Sequence, residues 1–294
     1  MFEGIAYSIL AGCFFTAGAA LFAEVSRRSL SFMVFLSTGA LIGLVISLMT
    51  MVDWHAVVSE KRAGELALWI IPGALGNVAG HLAMSRAMAI GRGPVAWAIG
   101  QGGQALTFIA TVLIWSEKPG TLSWFGLIII LLGVTFLART KTPTASASPV
   151  RSWVFWSFTA MTCYGLNQTL MSVPSHWTGW QDAAHLRLPM TLGVIGLSGF
   201  VYSGKIDLKL LRGILPWAVP YGIVICGCFG LVYLSLDRLS AAGCSAIGWP
   251  ISCSTGVLGY ALWEHIVQRR HVKRDEIIGI LTVVVGICAM AIRK

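Results

Sequence analysis

Long apolar stretches alternate with short polar connections along almost the whole chain. Ten of these stretches are about as long as an α-helix that crosses a bilayer, and the loops between them hold most of the charged residues. The pattern predicts helices near residues 4–23, 32–52, 66–90, 94–115, 122–139, 151–172, 182–203, 213–236, 241–263 and 274–292. We therefore expect an all-α integral membrane protein with ten transmembrane helices.

The second half of the chain repeats features of the first half. The segment 99–101 (IGQ) recurs as 247–249 (IGW), and a pair of glycines seven residues apart occurs in 126–133 and again in 279–286. Such internal repeats are typical of secondary transporters.

A segment of different composition lies near the midpoint of the chain. Residues 140–150 (TKTPTASASPV) are small, polar and Pro-containing, as in a linker. We expect this linker to join a first five-helix repeat, residues 1–139, to a second five-helix repeat, residues 151–294. Because five is odd, the second repeat would enter the membrane from the opposite side, which predicts two inverted repeats around a central cavity.

Composition supports a membrane protein and excludes several other classes. The chain is 56% hydrophobic and 11% charged, with a mean hydropathy of +0.77, whereas soluble domains carry about 25% charged residues. The net charge of +9 is spread over many loops without an aromatic platform, so we expect a lipid bilayer and no nucleic acid as partner. We expect a multi-pass protein of a bacterial inner (plasma) membrane.

Polar residues follow one face of the predicted fourth helix and recur in the ninth. Trp97, Gln101 and Gln104 step by four and three residues, which places them on one helical face. The positions 148 residues later are Ser245, Trp249 and Ser252. Amide and indole groups in hydrocarbon are unfavourable unless they meet a partner or line an aqueous cavity. We interpret the two stripes as substrate-binding; hydrogen bonding between helices without a ligand is the alternative.

Two further polar clusters are candidates for the same cavity. Asn77 and His81 are one turn apart on the predicted third helix, and the predicted sixth helix contains Tyr164, Asn167 and Gln168. Intramembrane polarity of this kind indicates function.

Several groups are candidates for proton coupling. Histidine titrates near pH 6.5, which makes His81 one of them, although a lone histidine is more often a satisfied interior residue. The other candidates lie at helix ends and are Asp182, His185 and Glu24. Capping or snorkelling is the alternative explanation for Glu24. No cofactor or metal is expected, because the seven cysteines lie in apolar stretches without ligand spacing.

Residues 87–133 (AMAIGRGPVAWAIGQGGQALTFIATVLIWSEKPGTLSWFGLIIILLG) resemble the third-to-fifth-helix region of the drug/metabolite transporter superfamily, in its EamA-like, ten-helix branch. The shared features are a small-residue third helix, a Gly-containing connection, an acidic residue after the fourth helix, and a Gly-x6-Gly fifth helix. The pattern recurs in residues 234–286, with Glu264 as the acidic residue. The chain departs from the family at residues 101–103 (QGG), where a mid-helix proline is usual.

The resemblance implies a basket of ten helices around a cavity lined mainly by the first, third, fourth, sixth, eighth and ninth helices. It also implies transport of a small metabolite. We therefore expect a secondary transporter for a small neutral or zwitterionic solute, of the sugar or amino acid class, acting as a monomer or weak homodimer. The alternatives are a proton-coupled multidrug or cation exporter and a non-transporting membrane scaffold. We do not expect an enzyme, because no nucleophile or metal set stands at workable spacing.

Two arguments disagree on orientation. Fourteen lysines and arginines lie in predicted loops opposite the termini and seven lie on the side of the termini. The positive-inside rule then places both termini outside the cell, whereas the family resemblance implies cytoplasmic termini. The direction of transport and the coupling ion are not encoded in any motif of the chain.

Overall fold

The described part of the chain is all-helical. The computed structural model describes residues 1–55, 60–90, 93–139, 150–178, 181–203, 208–267, 269 and 274–292. Its helices are α1 (Phe2–Arg27), α2 (Phe32–Thr50), α3 (Glu60–Ile90), α4 (Gly93–Gln101), α5 (Gln104–Trp115), α6 (Thr121–Arg139), α7 (Val150–Ser172), α8 (Arg187–Ser203), α9 (Leu208–Ser240), α10 (Gly248–Ile266) and α11 (Arg274–Ala291). Residues 140–149 of the expected linker lie outside the described residues.

Some of the described helices have the length and hydrophobicity of membrane-spanning helices. Five helical stretches are long and apolar enough to cross a bilayer: Phe2–Arg27, Phe32–Thr50, Lys61–Ile90, Ala183–Tyr202 and Leu208–Ser240. Three shorter apolar stretches are Ile99–Trp115, Thr121–Gly133 and Ile277–Met290. Large apolar side chains such as Leu113, Val201 and Ile223 are exposed on the outer faces, while amides and hydroxyls are buried inside. This distribution is the one expected of a protein surrounded by lipid.

The predicted fourth helix is interrupted. It consists of α4 and α5, joined at Gly102 and Gly103 by tight i→i−3 hydrogen bonds such as Gly102 N–H to Ile99 O at 2.9 Å. The glycines bring this turn against α7: a Cβ on Gly103 would lie 2.5 Å from the Met161 carbonyl oxygen. Gln104 therefore begins a different helix from the one that holds Trp97 and Gln101, so the predicted polar stripe is divided between α4 and α5.

Two other helices begin later than the hydrophobic pattern indicated. A 3₁₀ turn, Gln181–Leu186, precedes α8, and a second one, Ser245–Ile247, precedes α10. Pro250 therefore lies in the first turn of α10. A proline at that position interrupts no helical hydrogen bond, because the first N–H groups of a helix have no intrahelical acceptor.

Six elements meet at the centre of the bundle. Helix α1 packs against α9 and α10, and α7 packs against α3, α4 and α5. At the periphery, α2 packs against α8 and α9, α3 packs against α8, and α6 packs against α11. The central positions of α1, α3, α4, α7, α9 and α10 place their polar residues around a common space.

Glycines set the closest helix contacts. A Cβ on Gly126 would lie 2.4 Å from the Gly286 carbonyl oxygen, and one on Gly133 would lie 2.9 Å from the Gly279 carbonyl oxygen. Contacts between 126 and 286 and between 133 and 279 mean that α6 and α11 run antiparallel. Small residues at such positions allow the backbones to approach without hydrophobic driving force.

Candidate functional site

A cavity of about 50 Å³ lies where the six central helices meet. Eight residues that the sequence analysis assigned to a binding site line it: Asn77, His81, Trp97, Gln101, Tyr164, Asn167, Gln168 and Trp249. They come from α3, α4, α7 and α10, so residues from both halves of the chain share one space. The lining helices are α1, α3, α4, α7, α9 and α10, which lie at the first, third, fourth, sixth, eighth and ninth predicted stretches.

Three polar atoms at this cavity are buried without a protein hydrogen-bond partner. They are the amide oxygens of Asn77 and Asn167 and the indole nitrogen of Trp97. A buried polar group without a partner costs about 1–3 kcal/mol, so native proteins rarely keep several together. Their common position points to a ligand or solvent that supplies the missing hydrogen bonds.

Other polar groups of the cavity are held in place by protein partners. The Tyr164 hydroxyl lies 2.7 Å from His81 Nδ1. Gln168 accepts from Thr107 at 3.2 Å and donates to the Cys253 sulfur at 3.4 Å. These bonds fix the orientation of the amide and imidazole groups that face the cavity.

Aromatic rings form most of the remaining wall. Phe14, Phe15 and Phe22 of α1 and Tyr221 and Phe229 of α9 line the cavity. Phe22 contacts His81 edge-to-face, with ring centroids 5.0 Å apart, and Trp97 at 5.9 Å. The polarity argument did not identify these phenylalanines, because a phenylalanine in an apolar helix is no different in sequence from one that faces lipid.

The described wall of the cavity holds no carboxylate, ammonium or guanidinium group. None of the described residues that line it is an aspartate, glutamate, lysine or arginine. It therefore presents amides, an imidazole, hydroxyls and ring faces to whatever occupies it.

Three residues of the predicted stripes lie elsewhere. Gln104 donates to Ser254 at 3.1 Å, which joins α5 to α10. The Ser252 hydroxyl donates to the Gly248 carbonyl oxygen of its own helix at 3.0 Å. Ser245 belongs to a polar cluster at the start of α10, described below. Gln104 thus makes the helix-to-helix hydrogen bond that was the alternative to substrate binding. It lies after the turn at Gly102 and Gly103, at the start of α5.

The proton-coupling candidates also separate in space. Of those candidates whose side chains the structure describes, only His81 lines the cavity. Glu24 forms ion pairs with Arg27 and Arg28 at the end of α1, and His185 is half-buried in the 3₁₀ turn before α8. The side chain of Asp182 lies outside the described residues.

A second polar cluster, which the sequence analysis did not identify, lies at the end of the bundle that holds the N-terminus. Glu117, in the loop after α5, accepts backbone N–H groups of Ser245 and Ala246, each at 3.1 Å, and the Ser245 hydroxyl lies 2.7 Å from the same carboxylate. His176 lies 2.9 Å from the Ser245 hydroxyl and 3.4 Å from Glu117, and it stacks on Trp115 at 3.9 Å. The cluster joins the loop after α5 and the turn after α7 to the start of α10.

The hydrogen bonds of this cluster control the charge of Glu117. Burial raises the pKa of the carboxyl, but bonds from His176, the Ser245 hydroxyl and the backbone of Ala246 and Ser245 outweigh it and lower the pKa below its ordinary value. Glu117 is therefore ionised at neutral pH, and its charge caps the N-terminal end of α10.

Arg187 forms a third polar group at the same end. It is 1% exposed and donates to Ser175 at 3.0 Å and to Asp237 at 3.2 Å. Its guanidinium lies 4.0 Å from the ring centroid of Tyr233. This network ties the start of α8 to α9.

Comparison with solved structures shows a shared fold. No family model matches the chain, and no curated protein matches it. Among the solved structures that match, one described only as "Crystal structure of protein" has a TM-score of 0.62 and 10% sequence identity, over 96% of this chain and 98% of that chain. At this identity the likeness shows a shared fold over the whole length and nothing about activity.

Proposed function

We propose that this protein is a secondary transporter that moves a small neutral or zwitterionic polar metabolite across a membrane by alternating access. One observation carries the proposal: Asn77, Trp97 and Asn167 keep buried polar atoms without protein partners at one central cavity. Buried polar atoms without protein partners are expected where a solute supplies the hydrogen bonds.

The packing of the helices supports ten spans arranged as inverted repeats. If α7 corresponds to α1, α8 to α2, α9 to α3, α10 to α4 with α5, and α11 to α6, then every major contact has a counterpart. The contact of α3 with α7 corresponds to that of α9 with α1, and the contact of α3 with α8 corresponds to that of α9 with α2.

The direction of corresponding helices supports inversion rather than a parallel duplication. Helix α6 is antiparallel to α11, and α2 is antiparallel to α8, since Gly199 approaches Ser37 and Gly196 approaches Leu41. A cavity at the axis between such halves is the usual place for a transported solute.

The lining of the cavity favours an uncharged or zwitterionic solute over a cation. Amides and the Trp97 indole supply hydrogen bonds, and the rings of α1 and α9 supply flat apolar surfaces for stacking. The competing function, a cation or multidrug exporter, calls for a carboxylate in the cavity wall, and no described lining residue supplies one. The scaffold alternative calls for fully paired polar groups, which the unpartnered atoms of Asn77, Trp97 and Asn167 disfavour.

The size of the cavity fits a closed conformation in a transport cycle. A volume of about 50 Å³ is far below the roughly 300–1,000 Å³ of sites that hold metabolites. The helices around the site must therefore separate before a sugar or amino acid enters.

Ligand-induced stabilisation tests the proposal without transport. Detergent-purified protein is heated with each member of a panel of sugars and amino acids, and a solute present at 100 times its Kd is expected to stabilise the protein by about 2.7 kcal/mol. Gln101→Ala should abolish the shift, whereas Thr282→Ala should keep it, because the Thr282 hydroxyl is exposed and bonds only within α11. A shift that survives Gln101→Ala would contradict the assigned site.

A further inference from the structure

We infer that Glu117, His176 and Ser245 form a proton-binding latch, which closes the central cavity at the N-terminal end of the bundle when it binds a proton. The inference rests on the proposed function, because it assigns the proton to a step of alternating access. None of the three residues belongs to the central cavity.

The latch lies between two spaces. His176 lines an open cavity of about 430 Å³ together with Trp115, Trp177 and Asp237. Trp249 lines the small central cavity. Ser172 connects the two residues: its carbonyl oxygen lies 3.0 Å from His176 Nδ1, and its hydroxyl accepts from the Trp249 indole at 3.0 Å. A movement of His176 is therefore transmitted to the cavity wall through one residue.

The heavy-atom distances determine where hydrogens can lie. A carbonyl oxygen only accepts, so the contact with Ser172 places a hydrogen on His176 Nδ1. In a neutral imidazole the other nitrogen, Nε2, is then a bare acceptor. It faces the Ser245 hydroxyl at 2.9 Å and a Glu117 oxygen at 3.4 Å.

Ser245 has a single hydroxyl hydrogen for two acceptors. It lies 2.7 Å from the Glu117 oxygen and 2.9 Å from His176 Nε2, so a neutral His176 leaves one of these contacts without a hydrogen. A proton on Nε2 removes the conflict. His176 then donates to the Ser245 oxygen, Ser245 donates to Glu117, and the imidazolium faces the carboxylate as an ion pair.

The contacts among Glu117, His176 and Ser245 in this structure are thus all satisfied only when His176 is protonated. Loss of the proton leaves the Nε2 lone pair facing the carboxylate, which weakens the link between the turn after α7 and the start of α10. Because coupling is reciprocal, closure favours proton binding as much as proton binding favours closure.

The other charged groups near the latch either form an ion pair with each other or line a separate cavity. Asp237 of α9 faces the same open cavity as His176, and Arg187 of α8 pairs with it at 3.2 Å. On the other side, Lys118 and the chain start at Met1 line a small cavity beside Glu117. Glu117 is therefore the carboxylate in direct reach of the proton on His176.

A native cysteine reports on closure without any solute. Cys228 lines the central cavity and is buried. The other six cysteines are replaced by serine, and the rate of Cys228 labelling by a small methanethiosulfonate is measured in detergent at about pH 5.5 and about pH 8, which span the range in which histidine changes charge. His176→Gln in the same background supplies the intrinsic pH dependence of the thiol reaction, and His55→Gln is the matched control, because His55 is exposed and lies outside the latch.

The latch predicts that the ratio of wild-type to His176→Gln labelling rates is at least about fivefold lower at the acidic pH, within the usual range of coupling. His55→Gln should behave as wild type. Equal ratios at both pH values would overturn the latch. If His176→Gln does not fold, His176→Asn replaces it with the same expectation, since it also removes the imidazole that binds the proton.

The outcome separates the latch from the transporter proposal. A constant ratio in a protein that moves a solute rejects the latch alone. A pH-dependent ratio in a protein that binds and moves no solute supports the latch and rejects transport.

Discussion

At the scale of single residues, the unpartnered amide of Asn167 distinguishes a binding group from a structural one. Asn167 and Gln104 are both buried amides, with exposed fractions of 2% each, but only Gln104 has a protein partner, Ser254. Groups held ready for a ligand lower the stability of the free protein, which is the usual conflict between function and stability.

This contrast gives a prediction for a matched pair of substitutions. Asn167→Leu should leave the free energy of unfolding unchanged or raise it by up to about 1 kcal/mol, because it removes a desolvated acceptor. Gln104→Leu should lower it by about 1–3 kcal/mol, because Ser254 loses its partner. Detergent-based unfolding measures both, and equal losses in the two variants would contradict the assignment of Asn167 to binding.

Sequence reasoning identified the polar residues of the cavity better than its other residues. Asn77, His81 and Asn167 stand out because a polar group in an apolar helix requires an explanation. Phe22 does not stand out, since lipid-facing and cavity-facing phenylalanines satisfy the same hydrophobic pattern. His176 was missed because its role depends on Glu117 and Ser245, which are 59 and 69 positions away along the chain.

At the scale of elements, the start of α10 depends on a carboxylate from another loop. Glu117 accepts the backbone N–H groups of Ser245 and Ala246, which have no helical acceptor of their own. A charged cap of this kind contributes about 0.5–2 kcal/mol.

The stability that Glu117 contributes should depend on pH with a defined sign. Its folded pKa lies below the ordinary value of 4.5, so the contribution is complete above that value and is lost as the pH falls through the lower folded pKa. Glu117→Gln should therefore lower the thermal midpoint at pH 7, with a difference from wild type that shrinks in acid. Glu65→Gln, which removes a partly exposed ion pair with Arg62, should change little at either pH. A difference that grows as the pH falls would refute this role.

The contact between α6 and α11 gives a second prediction for elements. Gly126→Ala places a Cβ 2.4 Å from the Gly286 carbonyl oxygen, so the helices must separate, at a cost of about 1–3 kcal/mol. Gly213→Ala is the matched control, because nothing lies within 4 Å of its added Cβ and alanine is the better helix former. Unfolding in detergent compares the two, and equal stability of both variants would show that the glycine contact is not close.

The positions of the helices were predictable from hydrophobicity, whereas breaks within a helical stretch were not. Each of the ten expected stretches overlaps a described helix, but residues 94–115 are divided into α4 and α5, and α8 and α10 begin later than expected. The glycines at 102 and 103 were visible in the sequence, but the reason for the turn is the backbone of α7 at Met161, which no local pattern reveals. Pro250 lies in the first turn of α10, and the 3₁₀ turn before this helix is bound by Glu117 through the Ala246 N–H.

At the scale of the whole molecule, the structure combines a small central cavity with a larger one near the N-terminal end. The central cavity takes residues from both halves of the chain, so any relative movement of the halves changes its shape. The wall between the two spaces contains Trp249, Ser172 and His176. The proposed alternating access needs one site and a barrier that is held by few bonds.

The most direct test of the central claim is solute counterflow in proteoliposomes, with a panel of labelled sugars and amino acids, with and without a pH gradient. Wild type is compared with Gln101→Ala and Trp249→Ala, whose side chains line the cavity, and with Gly213→Ala as control. We predict saturable exchange of one solute class by wild type and the control, and its loss in both cavity variants. Absence of exchange for every solute by folded wild-type protein, or exchange that both cavity variants retain, would contradict a transporter that works through this site.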